Sequence, residues 1–133
     1  MSNISGVHHI SLKPKDTAEF EKVLHFYCDL LGLKVEARWT KPDGTQLAMI
    51  DAGNCRIEIV GNGQWDKNDR GSLDHLAFAT DAVDELLAPV QANGYEITTP
   101  ATDASLGTTP PTPIRIGFCR GPLGELVEFF CVK

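Results

Sequence analysis

Two histidines and two glutamates are placed alike in two separate parts of the sequence. His9 and His75 each lie where apolar residues alternate with small or polar ones, and Glu58 and Glu128 each stand between two apolar residues. Successive side chains of a β-strand point to opposite faces of a sheet, so these four side chains face away from their apolar neighbours. We therefore expect all four to share one face, opposite the face that packs against helices.

Two imidazoles and two carboxylates form a donor set that suits a divalent first-row metal ion. Four protein ligands leave further coordination positions open for water or for substrate oxygens. The sequence thus predicts that His9, Glu58, His75 and Glu128 bind one divalent metal (Zn, Ni, Co, Mn or Fe). The competing interpretation, four unrelated structural residues, requires the same coincidence to occur in both parts of the chain.

The other histidines and the cysteines are predicted to lie outside this site. His8 points away from the face of His9 near the chain start and is expected to be exposed. His25 fits the apolar stripe of its helix poorly and is expected at the surface. The cysteines have no C-x-x-C spacing, which favours buried thiols over a zinc site. They are Cys28, Cys55, Cys119 and Cys131.

The elements that position the four residues are predicted twice, in the same order. In the first half, Asp16 and Glu19 have the spacing of a capping box, and Gly32 marks the end of the helix that follows. The predicted segments are a strand at Val7–Lys13, a helix from Asp16 to Leu31, and strands at Leu33–Trp39, Gln46–Asp51 and Cys55–Val60.

The second half repeats this order after a polar, glycine-rich connector. Its helix contains Pro89, which removes one backbone hydrogen bond, and it ends at Gly94. The residues Pro100–Pro113 are expected to form a long loop, which we interpret as a candidate lid. The predicted segments are a strand at Leu73–Thr80, a helix at Asp81–Asn93, and strands at Tyr95–Thr99, Ile114–Arg120 and Leu126–Val132.

This duplication predicts an α+β fold of two tandem βαβββ modules, which form a curved mixed sheet with helices outside. The 133 residues are then one domain, 1–133. We place module 1 at about 5–62, a connector at 61–71 and module 2 at about 72–133.

The composition argues against several classes of partner. A net charge of −6 disfavours nucleic acid, because phosphate contacts need clustered lysine and arginine. No apolar run approaches the ~20 residues of a membrane span, and the first residues do not resemble a signal peptide. We expect a cytoplasmic protein whose partner is a small-molecule substrate, with no nucleic acid and no membrane.

The sequence resembles the vicinal-oxygen-chelate superfamily, whose members include glyoxalase I, methylmalonyl-CoA epimerase, extradiol dioxygenases and the bleomycin- and fosfomycin-resistance proteins. The resemblance covers nearly the whole chain. It lies in His9-x-x-Leu12 followed by Asp16, Phe26-Tyr27-x-x-x-Leu31-Gly32-Leu33, Glu58, His75-Leu76-Ala77-Phe78 and Gly121-Pro122-Leu123-Gly124-Glu125-Leu126-Val127-Glu128. It implies paired modules around a metal in a U-shaped cup, with the same four ligands, and a homodimer. If the modules swap between chains, each site combines residues of both.

Within this superfamily the ligand set is most similar to that of glyoxalase I. The resemblance implies a metal-dependent lyase or isomerase (lactoylglutathione lyase-like) that enolises a small carbonyl substrate. We hypothesise that Glu128 or Glu58 is the catalytic carboxylate that moves the proton. The alternatives are a methylmalonyl-CoA epimerase-like enzyme, then a non-catalytic resistance or ligand-sequestering protein or a ring-cleaving dioxygenase.

Substrate-binding residues are also implied by the resemblance. Glyoxalase I contacts glutathione through residues four positions after its first and second ligands, which here are Lys13 and Asn62. Lys13 keeps the positive charge of the arginine found there but not its bidentate fork. Ser11 is a further substrate-binding candidate. The remaining candidates for the cup are Trp39, Arg56, Trp65, Arg115 and Arg120.

Overall fold

The computed structural model describes residues 3–30, 32–63, 73–121 and 126–133. Several predictions from the sequence lie outside these residues. They concern Leu31, Trp65, most of the connector, and residues 122–125 of the glycine-containing motif.

The chain divides into two compact units, and the division falls inside the first strand. One unit is His9–Asp74, and the other joins the N-terminal residues up to His8 with His75–Lys133. The strand, helix, three-strand order predicted from the sequence occurs twice. The first set is β1 (Ile4–Leu12), α1 (Thr17–Leu24) with a π-helical continuation (His25–Leu30), β2 (Lys34–Thr40), β3 (Gln46–Asp51) and β4 (Arg56–Val60).

The second set has the same composition of elements. It is β5 (Leu73–Thr80), α2 (Val83–Ala92), β6 (Ile97–Leu106), β7 (Thr112–Arg120) and β8 (Leu126–Val132). The strands of each set also have the same order, β2-β3-β4-β1 in the first and β6-β7-β8-β5 in the second. In each, the first strand pairs in parallel with the last, and the other pairs are antiparallel. The α+β, paired βαβββ prediction is confirmed.

The helix α1 begins as its sequence predicts. The Asp16 side chain accepts a hydrogen bond from the Glu19 N–H at 2.8 Å, and the Glu19 carboxylate accepts one from the Lys15 N–H at 2.8 Å. The last turns widen into the π-helical segment before Gly32, which has φ +79°. The Gly32 N–H then donates to the Cys28 carbonyl at 3.1 Å, which satisfies the helix end.

Each unit packs its helix on one face of its own strands. In the first, Phe20 and Leu24 of α1 pack with three residues of the sheet: Ala48, Ile50 and Ile59. In the second, Val83 and Leu87 of α2 pack with Cys119 and Phe129. The other face of each set of strands is therefore left for the polar residues.

The predicted lid at Pro100–Pro113 is wrong. The strand β6 continues to Leu106 and β7 begins at Thr112, so most of this segment is a β-hairpin. Proline is tolerated in edge strands and at bulges, because no ladder hydrogen bond is then lost. Pro100 lies in the last strand of the sheet order, at a register shift between Thr99 and Thr102.

Two smaller features complete the fold. Pro89 lies inside α2, and the helix continues past it, since the Asn93 N–H donates to the Pro89 carbonyl at 3.0 Å. Among the residues described, none of the helices has the length and apolar content that crossing a membrane requires.

Candidate metal centre

The first histidine–glutamate pair lies on adjacent parallel strands, β1 and β4. Their register sets Ser11 opposite Glu58, so that Glu58 and His9 point to the same face. His9 Nε2 lies 3.6 Å from Glu58 Oε1, and the Ser11 hydroxyl donates to the same oxygen at 2.9 Å. His9 and Ser11 are fully buried, and Glu58 is 8% exposed.

The second pair is built in the same way from β5 and β8. Ala77 lies opposite Glu128, and His75 Nε2 lies 3.0 Å from Glu128 Oε1. Both side chains are buried, and the ring of Phe118 on β7 meets the His75 ring edge-on, with the centroids 5.3 Å apart. In both units, the residue two positions after the histidine faces the glutamate.

The chemistry of these side chains fits a divalent ion. Glutamate is rarely buried unless it is paired, because removing its charge from water is costly. Each pair offers one imidazole nitrogen and one carboxylate oxygen on the same side of the strands. Both are donor atoms that bind first-row divalent metals. Each unit therefore carries half of the donor set that the sequence predicts.

The residues implied for substrate binding lie just beyond the ends of β1 and β4. Lys13 Nζ is 3.4 Å from Asp74 Oδ1, with side chains 34% and 16% exposed. Asn62 is exposed, and the next residue, Gly63, donates its N–H to the Pro14 carbonyl at 2.9 Å. This hydrogen bond brings the chain segments that carry Lys13 and Asn62 side by side.

Ser11 contacts Glu58, and its burial leaves its hydroxyl no exposure to solvent. The other candidates for the cup differ in their surroundings. Arg56 pairs with Glu36 of β2, with Nε–Oε2 at 2.8 Å. Trp39 and Arg120 are half-buried.

Arg115 lies on the helix side of its strands, because it binds Asp84 of α2. Its Nε–Oδ2 distance to Asp84 is 2.7 Å, and its Nη1 is 3.0 Å from Asp103 Oδ1. Hydrogen bonding to the guanidinium holds the pKa of both carboxyl groups below its usual range. Arg115 therefore ties α2 to the β6–β7 hairpin on the face opposite Glu128.

The prediction for His8 is wrong, and that for His25 is confirmed. His8 is 9% exposed and its ring packs on Phe130, with the centroids 4.1 Å apart. Long-range packing against β8 decides this burial, and the sequence near His8 carries no signal for it. The His25 side chain is 61% exposed and lies 2.9 Å from Asp29.

The four cysteines are free thiols, but only Cys119 is fully buried. Burial, followed by the charge of Asp29, raises the pKa of the half-buried Cys28 thiol.

Two residues near the site, Phe118 and Gly63, were not predicted from the sequence. A Cβ on Gly63 would lie 2.1 Å from the Lys13 carbonyl oxygen, so this close approach needs glycine. A glycine two residues before the connector's tryptophan gave no such signal by itself.

Comparisons with known proteins agree with this architecture. The chain is 28% identical over 116 residues to a probable lactoylglutathione lyase of Synechocystis, a match that covers 83% of this chain and 85% of that protein. Methylmalonyl-CoA epimerase from Mycobacterium tuberculosis superposes with a TM-score of 0.71 at 18% identity, over 100% of this chain and 91% of that one.

A further similar structure is a variant of methylmalonyl-CoA epimerase from Streptomyces coelicolor in complex with 2-nitronate-propionyl-CoA. Its TM-score is 0.73 at 22% identity, over 97% of this chain and 95% of that one. At these identities the two epimerase structures show that the fold is shared. A family model matches residues 6–129, nearly the whole chain. The chain therefore belongs to the Glyoxalase/Bleomycin resistance protein/Dioxygenase superfamily.

Proposed function

We propose that this protein is a metal-dependent lyase or isomerase of the glyoxalase I type, which moves a proton on a small carbonyl substrate. His9, Glu58, His75 and Glu128 are the ligands of one divalent metal ion (Zn, Ni, Co, Mn or Fe). The single observation that supports this proposal most is the repeated register, in which each buried histidine meets a buried glutamate across parallel strands.

The burial of both pairs supports a functional role over a structural one. A protein that needed only stability would gain more from apolar residues at these positions, since buried ionic groups are costly to desolvate. Ser11 adds a third buried polar group to the first pair. Four costly buried residues in duplicate register are explained by one bound cation, to which each pair would contribute an imidazole nitrogen and a carboxylate oxygen.

When bound, a divalent ion polarises a carbonyl oxygen and so acidifies the neighbouring C–H bond. The remaining chemistry belongs to the protein. A carboxylate, Glu128 or Glu58, takes the proton from the hydroxyl-bearing carbon next to the carbonyl and returns it to the former carbonyl carbon, while the hydroxyl proton passes to the former carbonyl oxygen. Both lie within contact distance of a histidine, which limits the orientations of each carboxylate. Lys13 and Asn62 contact the remainder of the substrate.

The second candidate is a methylmalonyl-CoA epimerase-like enzyme. The epimerases found among similar structures favour it, with nearly complete coverage of this chain. The same residues would serve this reaction, because epimerisation also removes a proton beside a carbonyl and returns it to the same carbon from the other side. The two candidates therefore differ in the substrate and in where the proton returns.

Metal analysis tests the donor set first. Protein purified without an affinity tag and without added metal is analysed for bound metal, beside His75→Ala and the matched control His25→Ala. We expect about one divalent ion per site in the wild type and in the control, whose histidine is exposed, and loss of that ion in His75→Ala. Equal metal content in both variants would contradict the proposal.

Turnover assays then separate the candidates. The loaded protein is tested with the methylglyoxal–glutathione hemithioacetal and with methylmalonyl-CoA. Turnover of the first supports the glyoxalase type, and proton exchange in the second supports the epimerase type. Oxygen consumption with Fe(II) and a catechol would indicate a dioxygenase. Stoichiometric binding of an antibiotic without metal would indicate a sequestering protein.

We also propose that the protein is a homodimer. Mixing His9→Ala with His75→Ala tests whether the two pairs of one site come from different chains. If they do, each mixed dimer has one intact site and binds metal. If each site lies within a single chain, every site in the mixture lacks one histidine and no metal binds. Sedimentation of the wild type measures the oligomeric state itself, and a monomer at micromolar concentration would refute the dimer.

A further inference from the structure

The two histidine–glutamate pairs share their register but differ at one position. Ser11 lies opposite Glu58, and Ala77 lies opposite Glu128. Ser11 and Ala77 are both fully buried. The Ser11 hydroxyl donates to Glu58 Oε1 at 2.9 Å, whereas Ala77 carries no hydroxyl with which to do the same. The first pair therefore has a hydroxyl group at a position where the second pair has none.

The Ser11 hydroxyl binds the Glu58 oxygen that faces His9. Glu58 Oε1 accepts the Ser11 hydrogen bond and is also the oxygen that lies 3.6 Å from His9 Nε2. Hydrogen bonds to a carboxylate are among the stronger ones in proteins, and a fully buried hydroxyl cannot exchange its partner for bulk water. This contact restricts rotation of the carboxylate about its last side-chain bond.

We propose that Ser11 is a positioning residue, which holds the Glu58 carboxylate in place as a ligand of the metal. This inference rests on the metal site proposed above. Ser11 itself does not contact the substrate, in contrast to its prediction from the sequence as a substrate-binding residue.

Cobalt(II) binding to the purified apoprotein measures this role without a substrate. Bound cobalt has a visible absorption spectrum that reports its ligands, and titration gives the dissociation constant. Ser11→Ala gives the first pair the arrangement that the second pair has naturally. We expect it to weaken cobalt binding about tenfold, the lower end of the effect of groups that orient metal ligands. Ser11→Thr keeps the hydroxyl and should bind within about threefold of the wild type.

A double-mutant cycle shows whether Ser11 acts through Glu58. In a Glu58→Ala background the hydroxyl has no carboxylate to orient, so the additional Ser11→Ala change should cost no further affinity. A merely structural serine would cost the same in both backgrounds.

Each outcome has one consequence. If the wild type binds no cobalt, the proposed metal site fails and this inference fails with it. If the wild type binds cobalt and Ser11→Ala binds equally well, only the role of Ser11 is refuted. The same holds if the Ser11→Ala loss persists in Glu58→Ala. Thermal unfolding of every variant verifies that it is folded before titration.

Discussion

Gly63 is the position where the structure makes the sharpest prediction about stability. A Cβ placed there would lie 2.1 Å from the Lys13 carbonyl oxygen and 3.1 Å from that of Pro14. Both are backbone atoms, which cannot turn aside as the end of a side chain can. Gly63→Ala must therefore separate the segment after β4 from the segment after β1 and lengthen the Gly63–Pro14 hydrogen bond.

The cost follows from these two effects. Overpacking of a close contact costs about 1–3 kcal/mol, and a lost hydrogen bond adds about 0.5–1.5 kcal/mol. We therefore expect the free energy of unfolding to fall by about 1.5–4.5 kcal/mol in Gly63→Ala. With an unfolding entropy of about 2.1 cal/mol/K per residue, this lowers the Tm of a chain of this length by about 5–16 °C.

Scanning calorimetry of Gly63→Ala and Gly117→Ala supplies the assay and its matched control. A Cβ on Gly117 would lie 2.4 Å from Leu87 Cδ1, an atom that a rotamer change can move. Gly117→Ala should therefore lower the Tm by less. A fall of under 3 °C in Gly63→Ala, or a larger fall in Gly117→Ala, would refute the reasoning that backbone contact sets the cost.

Three further changes have distinct expected results. Glu128→Gln should retain the metal and lose about 10²–10⁴-fold in turnover, and turnover near that of the wild type would show that it is not the base. Asp74→Asn removes the charge 3.4 Å from Lys13 and should tighten glutathione binding in calorimetry by about 1.5–5-fold; weaker binding would mean that Asp74 orients Lys13. Arg115→Ala should lower the Tm at pH 7. Its two aspartate partners have pKa values below the usual 3.8 in the folded state, so their contribution is present above that pH and is lost as the pH falls through the lower values. A Tm difference that does not shrink as the pH falls below 3.8 would contradict this.

The sequence predicted what depends on local pattern. The period-two alternation around His9 and His75 gave the strands and the faces, and Asp16 and Gly32 gave the helix ends. The bounds of β3 and β5 agree with the predicted segments. These features are encoded within a few residues of each other, so they can be read without knowledge of the partner strands.

What the sequence did not predict depends on contacts between distant segments. The prolines and threonines of the segment Pro100–Pro113 suggested a loop. Proline is acceptable in a strand only at the edge of a sheet or at a bulge, and the sequence alone does not show that β6 provides both. The burial of His8 depends on Phe130, and the need for glycine at position 63 depends on the Lys13 carbonyl. None of these partners lies nearby in sequence.

The burial of the first strand carries a further argument about function. Ile10 is 39% exposed, while its neighbours His9 and Ser11 are fully buried. The same inversion occurs in β5, where Leu76 is 36% exposed and His75 is 8% exposed. Hydrophobic burial alone would place the apolar residue inside and the polar ones outside, so both strands give up stability at the same register position. Local violations of this kind concentrate at functional sites, and their repetition in both units favours selection for a bound ligand over an accident of packing.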